Sequence, residues 1–575
     1  MTAMPHIPAP ALSVRRVGTR AVLVDLPTLD DVLAWHAELA AHPLPGQREI
    51  VAAASTVMVK VGSASAATAA FHALKTFQPP ATPAGSGREI SIDVVYDGAD
   101  LESVADLLNI TTEELITRHT TETWIGAFGG FAPGFMYCYP QHGNWDIPRL
   151  DSPRTEVPAG AVGLAGSFSA VYPRQSPGGW QLLGHTDTPM WDSYATDPAY
   201  LRPGDRITYR AVRPSASITA SGTSADTDQT GAAHSDAPQP DSRPAPSQSK
   251  KPRRAGGISR PAVRIENSGL LTVYQDQGRS GYADLGVNGS GAVDRTSAWT
   301  ANDVVGNSSA AAVLENVGGL KLTALVDSVI AVTGAETPVS TTNMLGTVTS
   351  HGLATPIQVR AGWTLTVGVP EIGMRSYIAA RGGFATHQVL GSSSTDMLSG
   401  LGPDALQAGD VLSIGSLEET SVRRATVNPI RIGPRGTDEK ATEGNHGVVR
   451  CVLGPRDDWF SESEQRRFAD TTWTVTGHSN RIGLRLAAPE GQAPLTRCRD
   501  GELASEGMSG GCVQVPPNGQ PVVFLADHAV TGGYPVIATV IPEDLDIAGQ
   551  LPPGGTLTFQ LVDPNTLTPL FKELS

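Results

Sequence analysis

Residues 214–260 constrain this chain most. Over that stretch Ser, Ala, Thr, Asp, Gly and Pro dominate, no aromatic residue occurs, and a basic run, Lys250-Lys251-Pro252-Arg253-Arg254, stands near the end. Such a segment buries too little apolar surface to offset the entropy of ordering it, so it reads as a linker. The 575 residues therefore divide into at least two bodies. As a flexible coil, ~45 residues span on the order of 35–40 Å, which lets two modules dock side by side. Inside a solvated linker the basic run reads as solvent-facing charge rather than as a nucleic-acid patch.

Forty-two Lys and Arg against 57 Asp and Glu leave a net charge of −15, which disfavours nucleic acid and anionic membranes as partners. The 62 Gly and 44 Pro make turns frequent and helices few. Cys138, Cys451, Cys498 and Cys512 form no C-x-x-C pair and are too sparse to staple a secreted scaffold. With no apolar leader from Met1 to Val14 and no long uncharged apolar run, a cytoplasmic protein is expected.

Leu12–Leu26 and Glu49–Val61 alternate as strands do, and Leu29, Val32, Leu33, His36 and Leu39 between them repeat at helical spacing. A second helix closes near Phe71–Thr76, Ile90–Tyr96 reads as a strand, and Asp100 and Thr111 read as helix N-caps. From Trp124 onward short apolar segments alternate with Gly and Pro, the texture of barrels and sandwiches. The second half repeats it, with one helix at Asp294–Val305. The fold class is mainly β with an α+β N-terminal domain. The divisions are 1–88, 89–213, the linker 214–260, and 261–575.

A phosphate-binding P-loop, H-E-x-x-H, zinc C-x-x-C pairs and a biotin-attachment Met-Lys-Met are all absent. Gly507-Met-Ser509-Gly-Gly511 has the nucleophile-elbow spelling, but strand and turn residues follow it where that motif needs a helix. What recurs is Gly beside polar side chains. The blocks are Phe128–Tyr137, Pro153–Gly160, Tyr172–Trp180, Gln275–Gly281, Gly289–Asp294, Arg381–Gly383, Gly391–Thr395, Gly477–Arg481, Ser505–Gly507 and Leu525–Pro535. Asn, Gln, Asp, Arg and Ser in such turns offer an acceptor for an amide N–H and donors for its C=O. Taken singly, each block is equally a tight turn, and Asp294 is equally a helix N-cap and a catalytic carboxylate.

On these blocks the chain resembles a fusion of the B and C subunits of 5-oxoprolinase, the carboxyltransferase-like family also described as allophanate hydrolase subunits 1 and 2. Gly130-Phe-x-Pro-Gly134-Phe, Pro153-Arg154, Val157-Pro-Ala-Gly160 and Ser176-Pro-Gly-Gly-Trp180 carry the B likeness. Gln275-Asp276-x-Gly-Arg279, Ser290-Gly-Ala-x-Asp294, Leu314-Glu315, Ser479-Asn-Arg481-x-Gly483 and Asp527-x-x-x-Thr531-Gly-Gly-Tyr-Pro535 carry the C likeness. The resemblance implies cyclophilin-like β-barrel domains in both halves, one in the B half and two in the C half. It implies ATP-dependent opening of 5-oxo-L-proline to glutamate, with a separate A-type subunit as partner, ATP with Mg as cofactor and no covalent biotin on this chain.

Within that resemblance Asp527, Arg279, Arg381 and Arg481 are the catalytic candidates. Gln275, Asp276, Ser290, Asn302, Ser479, Asn480, Glu506, Gln514, Tyr534, His119, Arg154, Ser176, Gly178 and Gly179 are the substrate-binding candidates. No metal ligand set is expected, the site is expected in a cleft between the B barrel and the C barrels, and self-association is left open. Asp527→Ala is expected to abolish turnover while leaving folding nearly unchanged. Phe168-Ser169 and His185 depart from the family's usual Gln-Thr and Arg, which bears on substrate identity. Two other readings stand beside this one. The first is a biotin-dependent carboxyltransferase acting on urea or another amide, similar to the domain of urea carboxylase. The second is a non-enzymatic binding protein like the sensor-kinase inhibitors among B and C relatives.

Overall fold

The computed structural model describes residues 8–80, 87–150, 152, 154–213, 260–415, 422, 428, 445–501 and 503–570. The linker read at 214–260 lies outside them except for Arg260, which opens a strand. The two alternating stretches near the N-terminus each fold as a hairpin, since antiparallel pairing carries alternation through a tight turn. Ser13–Val17 pairs with Ala21–Asp25, and Gln47–Ala52 with Thr56–Val61, in one four-stranded sheet. Helix α1 (Leu29–Ala41) starts in a capping box between Thr28 and Asp31 and buries Val32, Trp35 and Leu39 against that sheet. Helix α2 (Ala64–Leu74), capped by Ser63, packs on the same face.

Next, seven strands run in the order Gln181–His185, Ala161–Ala165, Phe168–Val171, Met136–Pro140, Trp124–Gly129, Arg206–Ala211, Glu89–Val94. Only the last two pair in parallel, and a bridge from Val95 back to His185 closes the barrel. Helices α3 (Leu101–Leu107) and α4 (Thr112–Thr121) follow the strand Glu89–Val94 in the chain. Asp100 precedes α3 but makes no cap bond: its carboxylate binds Arg154 and the Leu182 N–H instead.

The middle body is two sheets sharing one core. One runs from the edge strand Val348–His351 to Phe384–Ala385, and the other holds Leu271–Gln275, Val313–Val317, Ile372–Ala380, Ser328–Glu336 and Ile357–Val359. Helix α5 (Arg295–Val304) lies on the second sheet, and Asp294 caps it by accepting the Ser297 N–H at 2.9 Å. The last body is a closed barrel whose first strand, His446–Leu453, again pairs in parallel with its last, Thr556–Leu561. It carries helices α6 (Glu462–Asp470) and α7 (Leu545–Gln550). The N-terminal sheet packs Val17, Leu23, Val51 and Met58 on Met508, Cys512 and Phe524 of this last barrel. The first barrel packs Ala199 on Leu285, Val287 and Leu401 of the middle body.

Candidate functional site

Gln275 ends the strand Leu271–Gln275, and the Gly-rich loop that follows turns back across residues 392–396. Asp276 organises that turn. Its carboxylate accepts from the Gly278 N–H at 2.8 Å, the Ser392 and Ser394 hydroxyls at 2.7 and 2.6 Å, and the Ser393 N–H at 2.7 Å. Gln275 donates to the Thr395 carbonyl at 2.9 Å, and Arg279 donates to the carbonyls of Ser394 and Val389. Both side chains are buried, at 0% and 3% exposure, yet Gln275 Oε1 and Arg279 Nη1 have no hydrogen-bond partner in the protein. The turn thus anchors one open acceptor and one open donor.

Beside it runs a closed ring of hydrogen bonds. Asn288 Nδ2 donates to Asp396 at 3.0 Å, and the Ser290 N–H to Asn288 Oδ1 at 2.7 Å. The Ser290 hydroxyl donates to Asp527 Oδ1 at 2.7 Å, and the Met397 N–H to Asp527 Oδ2 at 3.0 Å, which returns to Asp396. Ser290 closes this ring with φ 49°, a left-handed strain that a β-carbon normally avoids. Beneath the ring Arg481 grips Asp527 through Nε at 2.8 Å and Nη2 at 2.9 Å, while Nη1 donates to Glu315 at 2.5 Å. Glu315 also accepts from the Tyr377 hydroxyl at 2.8 Å and lies 3.5 Å from Arg375.

Burial works against every charge here, and partners decide the outcome. For Arg481, Asp527 and Glu315 outweigh desolvation and hold the guanidinium above its usual range. For Glu315, Arg481 and Arg375 outweigh it and hold the carboxyl down. Asp396 is pushed up by burial and by Asp527. Arg279 is pushed down by burial, against the pull of Asp396, Asp276 and Asp527. Asp527 is fully buried and its two oxygens are occupied by Arg481, Ser290 and Met397, so its removal strikes the fold as well as any chemistry.

The ring lies behind the seam between the halves. A β-carbon on Gly130 of the first barrel would stand 2.6 Å from the Thr531 hydroxyl, so a side chain there would force Thr531 to shift where these loops meet. The Gly134 N–H donates to the Leu285 carbonyl at 3.2 Å, and the Arg174 guanidinium donates to the Leu398 carbonyl. Phe131 (φ 59°) and Leu390 (φ 53°) carry left-handed strain near the same seam. At its far end Arg456 joins Glu506 at 2.8 Å to Asp25 of the N-terminal sheet at 2.5 Å. Burial lifts Glu506 to about 7 in spite of Arg456.

Of the residues singled out from sequence, Gln275, Asp276, Arg279, Ser290, Arg481 and Asp527 come together here. Others do not. Arg381 donates to the Val305 carbonyl at 2.9 Å, and Asn302 donates to Ala311 and accepts from Asn307, so both secure the end of α5. Ser479 and Asn480 stabilise a turn of the last barrel by accepting the N–H groups of Arg485, Ile482 and Gly483. Gln514 donates to the Tyr534 carbonyl at 3.1 Å, and Tyr534 is half-exposed with Arg497 over its ring. In the first barrel Arg154 pairs with Asp100 at 2.7 Å, while Ser176, Gly178 and Gly179 belong to the ribbon that Ser176–Gly178 forms with Arg154–Val157 and its exit. His119 is buried between Tyr96, Ser169 and the Tyr209 ring, and desolvation pushes it down to about 3. Phe168 packs edge-on to Phe128 and Tyr137, and His185 pairs with Asp97, all within the first half.

Sequence reasoning left Glu315, Arg375, Tyr377, Asn288 and Asp396 out of the site. A signal existed for Glu315, a charge in the short strand Val313–Val317 whose other residues, Asn316 apart, are apolar. Among the described residues, no group of three or more His, Cys, Asp and Glu is placed to hold a metal ion.

The family described as carboxyltransferase domain, subdomain A and B, matches residues 285–561, and subdomain C and D matches residues 12–201. The C subunit of 5-oxoprolinase from Escherichia coli (strain K12) is 36% identical over 301 residues, 52% of this chain and 90% of that relative. The B subunit of 5-oxoprolinase from Escherichia coli O157:H7 is 40% identical over 125 residues, 21% of this chain and 57% of that relative. The crystal structure of TTHA0988 overlays with a TM-score of 0.75 at 30% identity, covering 94% of this chain and 99% of that one.

Proposed function

Since this chain belongs to the carboxyltransferase-domain family, with B-type and C-type parts joined, we propose that it is the B–C component of an ATP-dependent 5-oxoprolinase. With a separate A-type subunit it opens the lactam of 5-oxo-L-proline to L-glutamate. One observation carries the choice of substrate class: the same turn anchors a buried open acceptor, Gln275 Oε1, and a buried open donor, Arg279 Nη1. A buried polar atom without a partner costs about 1–3 kcal/mol, and an amide carries one N–H and one C=O, the two kinds of partner these atoms lack.

In this reading Gln275 accepts the lactam N–H. Arg279 donates to the carbonyl oxygen, where negative charge gathers as the ring opens, and its burial strengthens that interaction. Asp276 fixes the serine turn on which both residues rest, and Ser290 and Asp527 hold the adjoining ring. ATP, when bound with magnesium, supplies the phosphoryl group that makes a resonance-stabilised carbonyl reactive. The working parts are 1–88, 89–213 and 261–575, tethered by 214–260. The protein works in the cytoplasm, where Cys138, Cys451, Cys498 and Cys512 stay unpaired.

A second reading is favoured by the family description itself, since a carboxyltransferase passes a carboxyl group from a donor to an acceptor. The same amide polarity would then seat urea or another amide, with the carboxyl brought by a separate biotin carrier. The test is ADP and glutamate release from 5-oxo-L-proline and ATP by the full chain, with and without an A-type subunit. Glutamate only with that subunit present upholds the first reading. Carboxyl transfer to an amide from a biotinylated carrier, with no glutamate, replaces it by the second, and silence in both assays leaves a binding role.

A further inference from the structure

The first barrel and the last present equivalent loops to one turn of the middle body. In the first barrel the strand Phe168–Val171 lies between Met136–Pro140 and Ala161–Ala165, and in the last, Val522–Phe524 lies between Gly483–Ala487 and Cys512–Gln514. Three residues beyond Val171 stands Arg174, and three residues beyond Phe524 stands Asp527. Asp527 accepts the Met397 N–H, and Arg174 donates to the Leu398 carbonyl, the adjacent residue of the same turn.

The turn is shaped for this contact. Asp396 accepts the N–H groups of Leu398 and Ser399 at 2.9 and 3.0 Å, and Gly400 donates back to the Asp396 carbonyl. At Gly400 (φ 66°) a β-carbon would stand 2.8 Å from Arg174 Nη1, so the guanidinium lies where a side chain would otherwise be. Arg174 is half-buried, and its Nε has no partner in the protein. A long, flexible side chain gives up hydration and rotamer freedom here for one carbonyl and the nearby Asp396 carboxylate. That arrangement stabilises little by itself, but it fixes residues 396–398, through which Asp396 holds Asn288 and Met397 holds Asp527.

We propose that Arg174 is a positioning residue: by clamping the Leu398 carbonyl, the B-type half sets the geometry of the Asp527 ring in the C-type half. Arg174 touches neither Gln275 nor Arg279 through any hydrogen bond and acts through the turn. The reaction part of this proposal rests on the 5-oxoprolinase reading; the clamp itself does not.

Two measurements on the full chain test it. Hydrogen–deuterium exchange, with no substrate added, is compared between the parent, Arg174→Ala, Arg174→Lys and the control Arg210→Ala, which removes an exposed pair with Asp93 on the first barrel. Exchange in residues 396–401 should rise about tenfold in Arg174→Ala, less in Arg174→Lys, and stay at the parent rate in Arg210→Ala; protection unchanged in Arg174→Ala overturns the clamp. Glutamate formation with the A-type subunit should show kcat falling at least tenfold in Arg174→Ala with KM for 5-oxo-L-proline within about twofold, and added guanidinium ion should restore part of kcat. A loss confined to KM, or no rescue, overturns positioning in favour of simple docking of the halves. A parent that forms no glutamate defeats the reaction reading, and the exchange result then still decides the clamp.

Discussion

The first and last barrels are built alike, yet they bury different things. In the first, Trp124 donates from its indole to the His119 carbonyl at 3.1 Å, and the His119 ring stacks on Tyr209 with centroids 4.4 Å apart. In the last, Trp473 donates to the Phe468 carbonyl at 3.0 Å, and Phe468 stacks on Phe559 at 4.3 Å. Trp124 lies opposite Ile207 and Trp473 opposite Leu557, two residues before Tyr209 and Phe559, so the slots match. His119 therefore stands where the other barrel has phenylalanine. Its ring nitrogens are satisfied by the Tyr96 and Ser169 hydroxyls, and the position is one of packing. The last barrel instead contributes the ion pair of Arg481 with Asp527, which leaves the barrel wall to bind the middle body. Burial alone does not mark a reactive group; burial with charge and with open partners does.

The strongest way to break this comparison is Asp527→Ala. It leaves Arg481 in the interior with half its compensation, a loss of roughly 3–5 kcal/mol of stability for a broken buried pair, together with loss of turnover. Urea unfolding beside the glutamate assay measures both. This reverses the expectation from sequence that folding would be nearly unchanged, because the structure makes Asp527 a keystone between bodies. An unaltered urea midpoint would return Asp527 to the open-site role.

Two buried groups, one in each barrel, should also contribute to stability with opposite dependence on pH. Glu506 of the last barrel is lifted from 4.5 to about 7, so the folded chain holds a proton that the unfolded chain has released between those values. Stability then declines as pH rises through that window. Glu506→Gln should match the parent near pH 5 and exceed it above pH 7 by on the order of 3 kcal/mol, at about 1.4 kcal/mol per pKa unit. Asp294, lifted by burial to about 7, keeps part of the slope in the variant. In the first barrel His119 is pushed from 6.5 to about 3 and stays neutral while the unfolded chain takes up a proton, so its contribution is lost as pH falls through that range. His119→Phe should cost roughly 1–3 kcal/mol at neutral pH, for the stranded Tyr96 hydroxyl, and less near pH 5. Denaturant midpoints across pH 5–8 separate the two; equal slopes in all three proteins would dissolve the contrast.

Much of this was legible in the sequence, for identifiable reasons. Helix α1 shows because Val32, Trp35 and Leu39 recur on one buried face. Helix α6 was missed because Phe468 is its one buried residue, leaving no apolar stripe, and α7 is only six residues long. The Leu12–Leu26 hairpin was missed because alternation does not break at Gly18, whose φ of 61° makes the turn. At the site, polar residues beside glycine pointed to Gln275, Asp276, Arg279, Ser290, Arg481 and Asp527. The same composition also pointed to Arg381, Asn302 and Asn480, which cap and turn backbone elsewhere. Only the pairing of distant strands tells an inward turn from an outward one. Asp396 and Arg174 stayed hidden because their importance lies in which loop they meet.

Glutamate release by Gln275→Leu and His119→Phe, measured side by side in the full chain with its A-type subunit, tests the central claim most directly. Gln275→Leu removes the open acceptor in the C-type half, and glutamate release should fall about 100-fold, the scale of losing one positioned polar contact to a reacting group. His119→Phe copies the slot of the last barrel and should keep the parent rate per folded molecule. Full activity in Gln275→Leu together with loss in His119→Phe would contradict the account and move the chemistry into the first barrel.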